Sequence, residues 1–202
     1  MTTRIWLLRH GEPDESVRRL CYGSLDVGLS DAGRQQMLRA ARELVGEPVA
    51  AIYSSPRLRA VESARMLRDG LRQNGSEICV VPDFREIDFG DFEGMAYDDI
   101  AARYPDLYRQ WMEASTAVQF PGGESFATMR LRVLRAFDAI SAAHADETAV
   151  VVSHGGAIRA IVAKALGMAG EDIFHLAQDH GAINRIDLVD GFAVVGLLNR
   201  CP

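Results

Sequence analysis

Arg4-Ile5-Trp6-Leu7-Leu8-Arg9-His10-Gly11-Glu12 is a short, β-prone, largely apolar run that stops abruptly at a basic residue, a histidine and a glycine. It reads as a buried strand feeding straight into a loop that carries ionisable side chains. The same pattern returns at Thr148-Ala149-Val150-Val151-Val152, which ends at Ser153-His154-Gly155-Gly156 and opens a helix through about Ala165. Ala50 to Tyr53 and Ile78 to Val81 are two further short strands, the latter halted by Pro82.

Helices fill the intervals. The first loop extends to about Leu29; Ser30 then offers an N-cap, and Met37, Ala41, Leu44 and Val45 recur at helical spacing until Gly46 and Pro48. After the second strand, Ser55 is placed to cap and Pro56 to occupy the first position of a helix running to about Gln73. That helix buries Ala60, Ala64, Leu67 and Leu71 and turns Arg65, Arg68 and Arg72 to water. Ser125 starts another, with Phe126, Met129, Val133, Phe137 and Ile140 as its core stripe. The segment from Phe84 to Gly123 holds Tyr97, Tyr104, Tyr108 and Trp111 among mixed charges and reads as a cap of short helices. Ala182 to Leu188 and Phe192 to Leu198, around Asp190-Gly191, form a closing hairpin. Strand and helix alternate without repeat or low-complexity linker, so a single α/β domain over residues 1–202 is expected, with a cap insertion at about 88–123.

A length of 202 residues with 48% hydrophobic content supports a sizeable core, and a formal net charge of −6 disfavours nucleic acid and anionic membrane as partners. No apolar run approaches a membrane span, and Arg9-His10 interrupts the N-terminal run before it resembles a signal peptide, so the expected location is cytoplasmic. Cys21, Cys79 and Cys201 lie far apart without a CxxC pair and read as reduced thiols. The last strand is a sheet edge, either covered or open to pairing with a second copy, which leaves a homodimer as one possible assembly.

Ligands of open α/β sheets sit beyond the carboxyl ends of the strands, where His10 and His154 would both be found. Arg9 beside His10, Arg59 in the first turn after the second strand, and the bare N–H groups of Gly155-Gly156 at a helix start are all suited to an anion. Together they make a phosphate site inside an acidic protein. No GxxxxGK[ST] stretch is present, nor the HxH or HExxH spacing of a metal hydrolase, and paired arginines oppose a dication.

Four blocks carry a resemblance: Leu8-Arg9-His10-Gly11-Glu12; Ser54-Ser55-Pro56 with Arg59-Ala60; Arg85-Glu86-Ile87-Asp88-Phe89-Gly90 with Glu93-Gly94; and Ser153-His154-Gly155-Gly156. In this order, across nearly the whole chain, they resemble the histidine phosphatase superfamily. The resemblance implies the phosphoglycerate-mutase-like fold, a mostly parallel central sheet with helices on both faces and a small helical cap. It implies His10 as a neutral nucleophile that becomes phosphohistidine, and Arg9, Arg59 and His154 as ligands of the phosphoryl oxygens. Glu86 is implied as general acid and then base, in competition with Asp88 and Glu93. The scheme calls for no metal and no cofactor, and the partner is a small-molecule phosphate monoester.

Pro13 and Ser16 stand where the family commonly has Thr and Asn, which puts the phosphate contact expected of Ser16 in question. Tyr22, Gly23 and Gly155 complete the expected substrate contacts. The Cys21-Tyr22-Gly23-Ser24-Leu25-Asp26-Val27 loop resembles that of α-ribazole phosphatases, whereas Arg103-Tyr104-Pro105, Trp111 and the run from Phe120 to Ser125 resemble metal-independent phosphoserine phosphatases. Family mutases carry a longer insertion after the Glu86 region, so a phosphatase is expected over phosphoglycerate mutase. α-Ribazole phosphate, phosphoserine and a sugar phosphate stay open as substrates, as does a module that binds a phospho-ligand without turning it over. His144 reads as a helix-end residue; His175 and His180 have no motif partner.

Overall fold

A computed structural model describes residues 2–72, 77–113 and 115–202. Six strands, β1 (Thr2–Arg9), β2 (Val49–Ser54), β3 (Ile78–Val80), β4 (Thr148–Ser153), β5 (Ile183–Val189) and β6 (Phe192–Arg200), form one sheet in the order β3-β2-β4-β1-β5-β6. The first four run parallel; β5 is antiparallel to β1, and β6 to β5.

Side chains alternate across this sheet. On β1, Ile5 and Leu7 face one layer while Trp6 and Leu8 face the other; on β4, Ala149 and Val151 oppose Val150 and Val152 in the same way. Every residue of β4 is buried, as a central parallel strand covered on both faces requires. A one-residue slip in register would exchange the two layers, and each Val or Leu left uncovered would cost roughly 1.5–3 kcal/mol.

Helices α1 (Asp31–Glu43) and α2 (Leu58–Gly70) pack together over the Trp6 face. Short helices α3 (Tyr97–Arg103) and α4 (Pro105–Glu113), with flanking 3-10 turns, form the cap. Helices α5 (Phe126–Ala143) and α6 (Gly155–Leu166) cover the Ile5 face. Ser30 and Ser125 cap α1 and α5, accepting from the N–H groups of Gly33 and Thr128, and the whole Phe126 to Ile140 stripe is buried.

Three local expectations are corrected. Arg57, not Ser55, is the N-cap of α2, and Pro56 precedes the helix, because the Ser55 hydroxyl accepts from the Arg57 N–H in a tight turn and also meets His154. The helix ends at Gly70; the expected end at Gln73 lies outside the described residues. Val45 follows the end of α1 and is 65% exposed, so it leaves the apolar stripe. The three cysteines are free, and among the described residues no helix is long and apolar enough to cross a membrane.

Candidate active site

Because β1, β4 and β2 are parallel neighbours, their carboxyl ends reach the same edge of the sheet. The register pairs Arg9 with Ser153 and Ser54 with Val152, so the next residue of each strand, His10, His154 and Ser55, meets the others there. The His10 and His154 rings lie 5.0 Å apart between centroids, and the Ser55 Oγ is 2.6 Å from His154 Nε2.

His10 is 2% exposed. Its Nδ1 is 2.7 Å from the Gly11 carbonyl oxygen, and the Arg59 Nε–H points at its Nε2 from 3.3 Å. A carbonyl only accepts and a guanidinium only donates, so the proton sits on Nδ1 and Nε2 carries the lone pair. Burial, then the charges of Arg59 and Arg9, push His10 well below the usual histidine range; burial, then Arg59, does the same to His154. Both rings are neutral at neutral pH.

Arg59 is fully buried in the first turn of α2. Its Nη1 donates to the Leu25 carbonyl and its Nη2 to the Gly23 carbonyl, each at 2.7 Å, and its guanidinium lies 5.1 Å from the Tyr22 ring centroid. The loop that supplies these carbonyls is held by Glu93, whose carboxylate accepts from the backbone N–H groups of Gly23, Ser24, Leu25 and Phe89. Glu93 is thereby spent on the loop, and Asp88 accepts from the Gly90 N–H and the Ser24 hydroxyl. Glu86 is placed differently: its Oε2 accepts from the Gly156 N–H at 3.0 Å, at the N-terminus of α6, and its Oε1 from the Ile87 N–H. A Cβ at position 156 would push this carboxylate aside.

Arg9 donates from Nη1 to the Gln178 carbonyl and from Nη2 to His180 Nε2 at 2.8 Å. Two buried nitrogens of the cluster, Arg9 Nε and His154 Nδ1, have no hydrogen-bond partner. Such atoms are rare in folded proteins, and a polar ligand in the cluster would give both a partner. The guanidinium carbon of Arg9 lies 3.5 Å from where a Cβ on Gly155 would stand, so the head of α6 adjoins the cluster. Among the described residues no group of three His, Cys, Asp or Glu is arranged to hold a metal.

Of the expected contacts, the structure brings together Arg9, His10, Arg59, Glu86, His154 and Gly155, with Tyr22 against Arg59. Gly23 contributes its carbonyl to Arg59 rather than an open N–H. Ser16 is exposed on a 3-10 turn, with its N–H bonded to Asp14, and the structure shows no bond from it to the cluster.

Two features escaped the sequence reading. His180 sits 5.4 Å from the His10 ring and 3.4 Å from the Tyr22 hydroxyl; burial, then Arg9, pushes it down to about 3. The signal was topological: β5 runs antiparallel to β1, pairing Ile183 with Leu8, so residues just before β5 lie at the end of β1 where the chemistry is. The second is Arg132 on α5, almost fully buried and paired with Glu124. It donates to the carbonyls of Asp83, Arg85 and Glu86, and Glu124 accepts from the Asp88 N–H, so this pair pins the backbone on both sides of Glu86.

The family model described as histidine phosphatase superfamily (branch 1) matches residues 5–200. The chain is 34% identical over 200 residues to a bifunctional protein of Mycobacterium tuberculosis, covering 98% of this chain and 54% of that one, so it spans about half the length of that relative. It is 30% identical over 196 residues to phosphoserine phosphatase 1 of Hydrogenobacter thermophilus, covering 97% and 92% of the two chains. The structure of the alpha-ribazole phosphatase from Shigella flexneri superposes with a TM-score of 0.86 at 28% identity, over 98% of this chain and 96% of that one. The mostly parallel sheet with helices on both faces is the phosphoglycerate-mutase-like fold. With its two site histidines meeting where neighbouring parallel strands end, and nearly its whole length matched, the chain belongs to branch 1 of the histidine phosphatase superfamily.

Proposed function

We propose that the chain is a metal-independent phosphomonoesterase that forms a phosphohistidine on His10 and acts on a small organic phosphate. The observation that carries this reading is the neutral, buried His10 with its Nε2 lone pair beside two buried nitrogens, Arg9 Nε and His154 Nδ1, that lack protein partners. A phosphoryl group supplies what those nitrogens need.

The reaction balances in two displacements. His10 Nε2 attacks phosphorus, the bond from phosphorus to the ester oxygen breaks, and Glu86 gives its proton to the departing oxygen. Water then attacks the phosphohistidine, Glu86 takes a proton from it, the bond from phosphorus to nitrogen breaks, and phosphate leaves. Arg9, Arg59 and His154 stabilise charge on the equatorial oxygens as it spreads, the part a dication plays in other phosphatases. The hydrogen bond from Nδ1 to Gly11 holds the ring in the reactive tautomer.

Within this class, α-ribazole phosphate is the substrate favoured by the loop from Cys21 to Val27 and by the likeness to an alpha-ribazole phosphatase. Phosphoserine is the second reading, favoured by the identity to a phosphoserine phosphatase over nearly the full length of both chains. The test is phosphate release, in excess chelator, from α-ribazole phosphate, phosphoserine, 3-phosphoglycerate and an aryl phosphate, by the wild type and His10→Ala. Turnover abolished by the substitution, with an acid-labile phosphoenzyme trapped from the wild type, is expected. Turnover that dies in chelator and returns with metal, or that survives in His10→Ala, overturns the proposal.

A further inference from the structure

Next to the phosphoryl cluster lies a pocket of about 210 Å³ that shares Glu86 and Gly156 with it and is otherwise mainly aromatic. Phe89, Trp111 and Phe120 interlock there, their ring centroids 4.9 to 5.5 Å apart. Packing of the cap accounts for Trp111 and Phe120, which are buried. Tyr97, 5.7 Å from the Trp111 ring, and Phe174, 6.5 Å from that of Phe126, line the same pocket at 40% and 50% exposure, so packing leaves much of each ring open.

Arg159 joins the two regions. Its guanidinium lies 5.7 Å from the Phe174 ring centroid, its Nε donates to the Leu176 carbonyl at 2.8 Å, and its Nη1 reaches within 3.0 Å of where a Cβ on Gly155 would stand. The cation therefore extends from the head of α6 to the rim of the aromatic pocket.

We infer that this pocket receives a flat aromatic ring carried by the leaving alcohol, which makes ring-bearing phosphomonoesters the substrate class; the inference rests on the phosphatase reading above. With the phosphoryl oxygens on Arg9, Arg59 and His154, and Glu86 at the ester oxygen, the carbon skeleton leaves the site past Glu86. The pocket that Glu86 lines is where it goes. Ring walls favour an offset or edge-on aromatic guest, and the Arg159 guanidinium adds attraction for a ring face.

The test compares 2-phenylethyl phosphate with propyl phosphate, whose leaving alcohols are alike in basicity, so a difference in kcat/KM reports the ring and not the chemistry. The wild type is expected to favour the phenylethyl ester at least tenfold. Phe174→Ala, at a half-exposed residue, is expected to shrink that ratio at least fivefold, while Phe192→Ala, at an exposed residue on β6, leaves it as in the wild type. Hydrolysis of both esters with equal kcat/KM, or a ratio untouched by Phe174→Ala, overturns the pocket assignment and leaves the phosphatase reading standing. If neither ester is hydrolysed, calorimetric binding of 2-phenylethyl phosphate decides. Binding weakened at least fivefold by Phe174→Ala sustains the pocket while the phosphatase reading falls; binding that is absent, or unmoved by the substitution, overturns it.

Discussion

The two halves of this site are built by opposite means. The phosphoryl half hangs on the ends of three parallel strands and the first turn of α2, with His10, Ser55, Arg59 and His154 buried and tied to fixed partners. The neighbouring half is made of rings from the cap, from α5 and from the 3-10 turn Gly170–His175, and some of them stand half in water. Displacement at phosphorus needs groups placed to within about half an ångström, which packed strands supply. Recognition of a leaving group tolerates looser walls, and loops and short helices can change without disturbing the chemistry.

Substitutions at His10, Glu86, Arg59, Arg132 and His180 would break or sharpen that contrast. His10→Ala is expected to lower kcat on the order of 10⁵-fold for every ester alike, measured by steady-state phosphate release; a loss that varied with leaving group would blur the division. Glu86 stands on the boundary, so Glu86→Gln should depend on the alcohol. A loss of about 10²–10⁴-fold is expected for alkyl esters and far less for p-nitrophenyl phosphate, whose leaving oxygen needs no proton. Arg59→Ala should cost about 10²–10³-fold in kcat, and Arg59→Lys should not restore it, because an ammonium cannot span the carbonyls of Gly23 and Leu25 as the planar fork does.

Arg132 tests the joint between the halves. Arg132→Met takes from buried Glu124 its nearest cation, leaving only the more distant Arg85 at 3.9 Å, and frees the Glu86 segment, so a loss of about 3–5 kcal/mol in stability by denaturant titration is expected. Adding Glu124→Leu should recover much of it.

The smallest effect concerns pH. His180, held down to about 3 in the fold, regains an ordinary value near 6.5 when unfolded, so between those values the unfolded chain binds the extra proton. Stability then falls as pH drops below about 6.5, by up to about 1.4 kcal/mol per pH unit from this residue. His180→Asn should flatten the acid limb of a stability profile by that amount; an unchanged slope would show that burial does not hold His180 down in the fold.

Much of this was legible from the chain alone, and the reasons are local. β1 and β4 announce themselves because apolar runs stop at a histidine and a glycine, and α5 because Phe126, Met129, Val133, Phe137 and Ile140 keep a helical period. Glu86 is preferred to Glu93 and Asp88 on a motif; all three accept backbone N–H groups, and what sets Glu86 apart in the structure is that one of its donors, Gly156, stands at the head of α6 beside the cluster. His180 and Arg132 were not legible, since each acts through an element far away in sequence. Ser55 was misread as a helix cap because its partner, His154, lies 99 residues downstream.

At residues 24 and 25 Arg59 meets a carbonyl oxygen and Glu93 meets N–H groups, while the Ser24 hydroxyl is turned to Asp88 instead. A residue able to hold the same backbone path can stand at those two positions with the Arg59 guanidinium still beside His10. A library randomised at 24 and 25 is expected to keep the reaction while changing what the rim of the site presents to solvent.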